Sequence, residues 1–295
     1  MGVGCRREGP PTTSRPSGPT APSVSLGSIP TVVIAVVEPA IEDGRAGRFR
    51  PRFGDACASL CDARLWTQPV RDTGDVSALV GRLAAAVDQL LQVRPRVLVG
   101  IDGPDAAGKT TFADRLSVEL GGNAVRASAD AFHNPVAVRR RRGELSSDGY
   151  YRDAFDYMAI VDELLEPFRA GRTRVATCRY DYGKEAPIQV DVAVPTRSVL
   201  VFDGVFLLRE ELRHYWTLSV YLSVSPEESL RRGVARDADL FGSDTDARRR
   251  YAARYLPAQA LYRDEVDPER LANVVVDNTE PADPIVLRWL PPRSP

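Results

Sequence analysis

Apolar residues recur along this chain with two different spacings, and the switches between them outline a fold. From Asp75 onward, Val76, Leu79, Val80, Leu83, Val87, Leu90 and Leu91 occupy one face of an amphipathic helix. Asp75 reads as its N-cap, because its carboxylate can accept from the unpaired N–H groups of the first turn. Arg96–Ile101 follows, a short continuous apolar run of the kind a buried parallel strand carries. Further strand-like runs cover Ala124–Ser128, Arg174–Arg179, Ser198–Asp203, Leu218–Val224 and Asn273–Asp277. Helix-like stretches cover Lys109–Leu120, Asp153–Arg169, Pro226–Asp237 and Asp246–Val266. This alternation predicts an α/β fold with a mostly parallel sheet. Arg174–Arg179 and Ile188–Val194 face each other across a polar turn, which predicts a side hairpin as the alternative to core strands.

The first quarter of the chain lacks this regularity. Pro and Gly supply 11 of residues 1–30, a composition that cannot offset its ordering entropy by burial and predicts a disordered tail. In residues 31–70 the strand-like Thr31–Val37 is followed by Pro39, Gly44, Gly47, Pro51 and Gly54, so this part is assigned as an appendage without a role. Residues 71–295 then form the main domain. Apolar runs such as Val32–Val37 fall far short of the ~18 residues of a membrane span. Arg6-Arg7 leads into Pro, Ser and Gly instead of the apolar segment of a secretory signal. The four cysteines (Cys5, Cys57, Cys61, Cys178) lack metal-site spacing and predict thiols, hence a cytoplasmic protein.

Charge narrows the partners. Lys+Arg 39 against Asp+Glu 40 gives −1, which leaves no bulk field for nucleic acid or an anionic membrane. Only Lys109 and Lys184 are lysine, so the chain uses arginine by habit and a lysine asks for a reason. His133 and His214 are the only histidines, which excludes His-cluster chemistry.

Lys109 has that reason. Gly103-Pro-Asp-Ala-Ala-Gly-Lys-Thr110 fits G-x-x-x-x-G-K-[ST] between a buried strand and a helix. The glycines let backbone N–H groups and a helix N-terminus wrap an anion. A compact ammonium suits the β- and γ-phosphates of a nucleotide better than a planar guanidinium, and the Thr110 hydroxyl can ligate Mg²⁺. Gly103, Asp105, Ala106, Ala107, Gly108, Lys109, Thr110 and Thr111 are therefore the nucleotide-binding set. Neither lysine follows an Asn, as the guanine-reading N-K-x-D requires, and Ser198–Asp203 runs into Gly204 without the Glu of many ATPases. Asp203, ending an apolar strand, is the second candidate metal ligand. Asp130, just past Ala124–Ser128, is the candidate base that orients an acceptor hydroxyl.

These residues form an ordered series: Gly103–Thr111, Ser128-Ala-Asp-Ala-Phe-His133, Asp153-Ala-Phe-Asp156, Tyr180-Asp-Tyr182, Val201-Phe-Asp-Gly204, Arg232-Gly-Val-Ala-Arg-Asp237, and Tyr255 to Asp277. The series resembles the phosphoribulokinase/uridine kinase family of P-loop kinases, bacterial branch. The resemblance implies a three-layer P-loop NTPase sandwich with a substrate-side hairpin and a helical lid. It implies ATP and Mg²⁺, with Asp130 and Lys109 catalytic and Arg232 and Arg236 as lid arginines over the phosphates. On the acceptor side it implies His133, Tyr151, Tyr180 and Tyr182, the tyrosine rings offering faces to a base. Several positions depart from nucleoside kinases. His133 stands where Tyr is usual, Tyr150-Tyr151 where an Asp precedes D-A-F-D, and Tyr182-Gly-Lys-Glu185 lacks the pyrimidine-contacting His.

The expected activity is transfer of the γ-phosphate of ATP to a hydroxyl of a small metabolite, a nucleoside first. The alternatives are a pantothenate, sugar phosphate or nicotinamide riboside type of acceptor, or an ATP-binding regulatory protein without catalysis. Homo-oligomerisation is left open. Arg139-Arg-Arg-Arg142 reads either as a grip on an anionic acceptor or as a solvated loop.

Overall fold

The structure, a computed structural model, describes residues 75–292; the tail and appendage assigned to 1–70 lie outside the described residues. Helix α1 (Val76–Val93) forms on the predicted face, with Asp75 accepting from the Ser77 N–H at 3.0 Å. It is long and apolar enough to cross a membrane by length and composition alone, and its apolar face is buried against the sheet.

The strands are β1 (Arg96–Asp102), β2 (Ala124–Ser128), β3 (Arg174–Asp181), β4 (Ala186–Ala193), β5 (Ser198–Asp203), β6 (Leu218–Ser223), β7 (Val274–Asp277) and β8 (Ile285–Trp289). Six of them form one sheet in the order β2-β5-β1-β6-β7-β8, parallel except for the β7–β8 pair. β3 and β4 form the separate antiparallel hairpin. Side chains of β1 alternate between two cores. Val97, Val99 and Ile101 pack with α1 and α2 (Lys109–Leu120), while Leu98 joins Phe202, Phe206, Trp216 and Tyr262 on the other face. A sheet buried on both faces needs helices on both, and this makes the three layers.

Three helical expectations are corrected. Asp153–Arg169 is not one helix: α3 (Ser147–Asp153) ends where the reading began one, and helix resumes at Tyr157 with the Asp156 carboxylate accepting from the Ala159 N–H at 2.9 Å. Arg141 and Arg142 both bind the Asp153 carboxylate, so it does not cap a following helix. The helix from Pro226 runs on to Phe241 as α4, and Gly242 at φ 97° ends it. The last helical stretch starts at Asp244 (α5, Asp244–Arg250), passes through a π turn at Tyr251–Tyr255, and continues as α6 (Leu256–Val266).

Register fixes where the chemistry lies. Ile101 of β1 and Ser128 of β2 both pair with Asp203 of the intervening β5. The chain leaving β1 into Gly103, the chain leaving β2 into Asp130 and Asp203 itself therefore lie side by side on the carboxyl edge, where open parallel sheets bind ligands.

Candidate active site

The loop from Gly103 to Thr110 is built from backbone that side chains would obstruct. Gly108 sits at φ 90°, and a Cβ at Gly103 would lie 2.5 Å from the Leu222 carbonyl oxygen. Several anchors hold the loop. Gly103 N–H donates to Asp102 Oδ1 (2.7 Å), Ser229 Oγ to the Asp105 carbonyl (2.7 Å), and Asn278 Nδ2 to the Ala107 carbonyl (2.7 Å). The Asp105 carboxylate accepts from Tyr150 OH (2.8 Å) and Gln259 Nε2 (3.1 Å). Lys109 Nζ closes the loop on the Pro104 carbonyl at 2.7 Å. Burial lowers the Lys109 pKa, opposed by the charges of Asp105, Asp203, Asp102 and Asp130.

Thr110 Oγ1 donates to Asp203 Oδ2 at 2.7 Å, so the two candidate metal ligands meet. An all-oxygen pair of hydroxyl and carboxylate at the mouth of a phosphate loop suits a hard cation such as Mg²⁺. Asp203 is only 2% exposed, and its other oxygen lies 2.7 Å from Arg126 Nη2, whose Nε also bonds Asp114 at 2.9 Å. Asp102, at the end of β1, is likewise buried, accepting from Gly103, from Leu208 N–H (3.2 Å) and from Tyr262 OH. Burial pushes its pKa up to about 6, against those hydrogen bonds and Lys109.

Asp130 stands exposed at the exit of β2, within electrostatic reach of Lys109 and Tyr150. His133 Nδ1 lies 2.9 Å from the Asp130 carbonyl, and since a carbonyl only accepts, Nδ1 carries the proton. Burial lowers the His133 pKa, outweighing Asp130. The His133 ring packs between Phe155 (4.7 Å) and Tyr182 (4.8 Å). Arg139 lies over the Tyr182 ring at 4.7 Å and forms an ion pair with Glu185, which also accepts from Tyr180 OH at 2.8 Å. His133, Tyr180 and Tyr182 thus gather beside Asp130.

Tyr151 does not join them. It packs on Phe206 (5.0 Å) and Tyr262 (6.0 Å) with Arg209 over its ring at 5.0 Å, in the core behind the site. Its neighbour Tyr150 is the ring that faces the phosphate loop, because α3 turns adjacent residues to different faces. Arg232 is held by the Asn278 and Thr279 carbonyls (3.0 and 2.6 Å) and by Glu228. Arg236 pairs with Asp237 (2.8 and 2.9 Å) and donates to Tyr251 OH (3.2 Å). Both lie on α4, alongside the loop that Ser229 grips. The run 139–142 divides: Arg139 is buried against the hairpin, while Arg140, Arg141 and Arg142 are exposed, the last two also binding the Asp153 carboxylate. Lys184 is exposed and pairs with Asp181 at 3.1 Å.

Sequence reasoning assigned no site role to Arg126, Asp102, Tyr150, Gln259 or Asn278. Asp102 carried a legible signal, a charged residue closing the apolar run Val97–Ile101; the others acquire their roles only through distant partners.

A family model described as the phosphoribulokinase/uridine kinase family matches residues 98–268, more than half of the chain. A uridine kinase from Limosilactobacillus reuteri is 24% identical over 184 residues, 61% of this chain and 82% of that protein. Uridine-cytidine kinase B from Dictyostelium discoideum is 23% identical over 142 residues, 48% of this chain and 58% of that protein. Among solved structures, a protein assigned as a fructose transport system kinase from Silicibacter sp. TM1040 superposes with TM-score 0.54 at 22% identity, covering 63% of this chain and 94% of the other. At this identity the superposition shows the fold.

Proposed function

The chain belongs to the phosphoribulokinase/uridine kinase family, and from that premise we propose that it is a Mg²⁺·ATP-dependent kinase acting on a hydroxyl of a small metabolite. The observation that carries this reading is the shared carboxyl edge of β1, β5 and β2, with the 2.7 Å Thr110–Asp203 bond at its centre and Asp130 beside it. The backbone N–H groups of Gly103–Thr111 and the Lys109 ammonium hold the phosphates. Thr110 and Asp203 would hold the metal, which when bound neutralises charge on the transferring phosphoryl group. Asp130 orients the acceptor hydroxyl and takes its proton as the new P–O bond forms and the bond to the ADP oxygen breaks. Arg232 and Arg236, on α4, act from the lid once released from their present carbonyl and carboxylate partners.

On the acceptor, the similarity to uridine kinases supports a nucleoside. One observation favours the second reading, an acceptor held by polar groups: His133 and Arg139 already lie against the Tyr182 ring, so a base stacking there would have to displace one of them. Radiolabel transfer from [γ-³²P]ATP to a panel of uridine, pantothenate and ribulose 5-phosphate tests the assignment, with Asp130→Asn as the control. Loss of turnover of about 10²-fold or more with unchanged ATP binding supports it. Unchanged transfer by the variant refutes the role of Asp130, and ATP binding without transfer to any acceptor favours the regulatory alternative.

A further inference from the structure

Arg254 lies in the π turn Tyr251–Tyr255 and is a buried residue, 6% exposed. A buried cation ordinarily has a carboxylate partner. Among the described residues none lies within ion-pair distance of Arg254. Its Nη1 donates to the Glu144 carbonyl at 2.7 Å and more distantly to the Ser146 carbonyl at 3.4 Å. Among the described residues Nε and Nη2 have no acceptor, and neither is sealed from solvent.

The surroundings put the guanidinium beside the phosphate loop and within electrostatic reach of the hairpin ring Tyr182. Arg254 lies over the Tyr150 ring at 5.1 Å, and Tyr150 bonds Asp105 of the phosphate loop. Tyr255 packs edge-on against Tyr150 at 4.8 Å, and the Arg254 charge is felt at Tyr182, which touches His133. The local charge is unbalanced. Arg140 and Arg250 share the single carboxylate of Glu144, whose carbonyl holds Arg254, so three guanidinium groups meet one acid. A π turn in place of regular helix is the kind of irregularity that functional sites retain.

We propose that Arg254 is an acceptor-binding residue whose Nε and Nη2 receive an anionic group of the acceptor, a carboxylate or phosphate remote from the hydroxyl that is phosphorylated. The proposal rests on the kinase reading and adds the acceptor's charge class to it. Adjacent Nε and Nη2 protons form the planar fork that matches two oxygens of such a group. A neutral nucleoside would leave that fork unmatched.

The test compares pairs of hydroxy compounds that differ in charge, pantothenate with pantothenol and glycerate with glycerol, together with uridine, each phosphorylated by the parent chain, Arg254→Gln and Arg254→Lys. The expected result is that the parent prefers the anionic member of a pair. Arg254→Gln, which can still donate to the Glu144 carbonyl, raises KM for that member about 10- to 100-fold, leaving kcat and the KM for ATP within about threefold. Arg254→Lys recovers part of the loss. A second arm needs no knowledge of the acceptor: inorganic sulfate is titrated calorimetrically onto protein saturated with a non-hydrolysable ATP analogue and Mg²⁺. The parent binds sulfate, and both variants bind it more weakly, Arg254→Gln most; if the Arg254→Gln protein fails to fold, Arg254→Lys carries the comparison. Equal use of neutral and anionic acceptors, an equal effect of the substitution on both, or an adventitious ion only (sulfate bound alike by parent and variants) overturns the proposal. So does a loss confined to kcat or to the KM for ATP, which would assign Arg254 to the transferring phosphoryl group. Failure of the ATP analogue to bind would overturn the kinase reading itself, and is read separately from the sulfate titration.

Discussion

Gly100 lies in the middle of β1, two residues before Asp102 and three before the phosphate loop. By strand propensity alone, alanine there should stabilise the chain, because glycine loses more entropy on folding by about 0.5–1 kcal/mol. The structure gives the opposite sign. A Cβ at Gly100 would lie 2.7 Å from Trp216 Cδ2 and 3.0 Å from Cε2 and Cγ, against the ~3.7 Å of ordinary carbon contact. The indole would have to withdraw by about 1 Å. It is poorly placed to do so: it stacks on Phe202 at 5.6 Å with an interplanar angle of 21°, and its Nε1 donates to the Leu207 carbonyl at 2.7 Å. Overpacking of this kind costs about 1–3 kcal/mol, and a weakened buried hydrogen bond adds about 1. Setting the propensity gain against these leaves Gly100→Ala less stable by about 2 kcal/mol, a fall of roughly 5 °C in Tm for a domain of this size. Urea and thermal unfolding of the parent and Gly100→Ala measure it. In a Trp216→Leu background the same substitution should cost nothing or stabilise, which makes a double-mutant cycle the sharper assay. A Tm for Gly100→Ala at or above the parent's, or an equal loss in both backgrounds, would refute the steric reasoning.

Three further outcomes are expected. Asp102 titrates near 6 in the folded chain against 3.8 as a free side chain, so its contribution is fully present below pH about 3.8 and is lost as pH rises through about 6. Between pH 5 and 7.5 this removes on the order of 1 kcal/mol, and Asp102→Asn should flatten that part of the stability–pH curve measured by urea unfolding; an unchanged slope counts against it. Arg126→Met leaves a buried Asp203 oxygen without its cation and should lower unfolding free energy by about 2 kcal/mol, less than for a sealed pair because Arg126 is 24% exposed; calorimetric unfolding of parent and variant at equal stability would reject that pairing as a support. Lys109→Arg should weaken binding of a fluorescent ATP analogue at least about 100-fold with little change in Tm, since the planar guanidinium cannot replace an ammonium closing on the Pro104 carbonyl; binding at parental strength would contradict the reason given for that lysine.

What the sequence made legible is what local chemistry decides. α2 forms over Lys109–Leu120 as read, because the loop, the glycine before it and the apolar spacing all act within a dozen residues. β5 likewise starts and stops where its apolar run does. The misreading at Asp153 has a different origin. Asp153-Ala-Phe-Asp156 offers two acids as helix caps, and what decides between them is a pair of arginines from the preceding loop that take the first and leave Asp156 to cap. Tyr150 and Tyr151 pose the same difficulty: only the orientation of a seven-residue helix sends one ring to Asp105 and the other into the core. β8 carries Val286 and Trp289 inward within a short run flanked by prolines, too brief a pattern to stand out without β7 beside it.

The arginine excess looks different once each side chain has a place. Arg126, Arg139, Arg141 and Arg142 are bound to named carboxylates of other elements, so they act as internal fasteners where a planar fork can hold two partners at once. Near-zero net charge is then the sum of many local closures instead of the mark of a chain with nothing to bind. Against that background an informative cation is a buried one beside the phosphate loop whose closure is missing. Lys109 stood out by being the wrong residue for the chain's habit; Arg254 follows the habit, lacks an acid as Arg96 does, and differs from Arg96 in lying over the Tyr150 ring beside the phosphate loop. A site for an anion can therefore hide in an arginine-rich sequence, and it becomes visible only when the carboxylates have been assigned to the arginines they already serve.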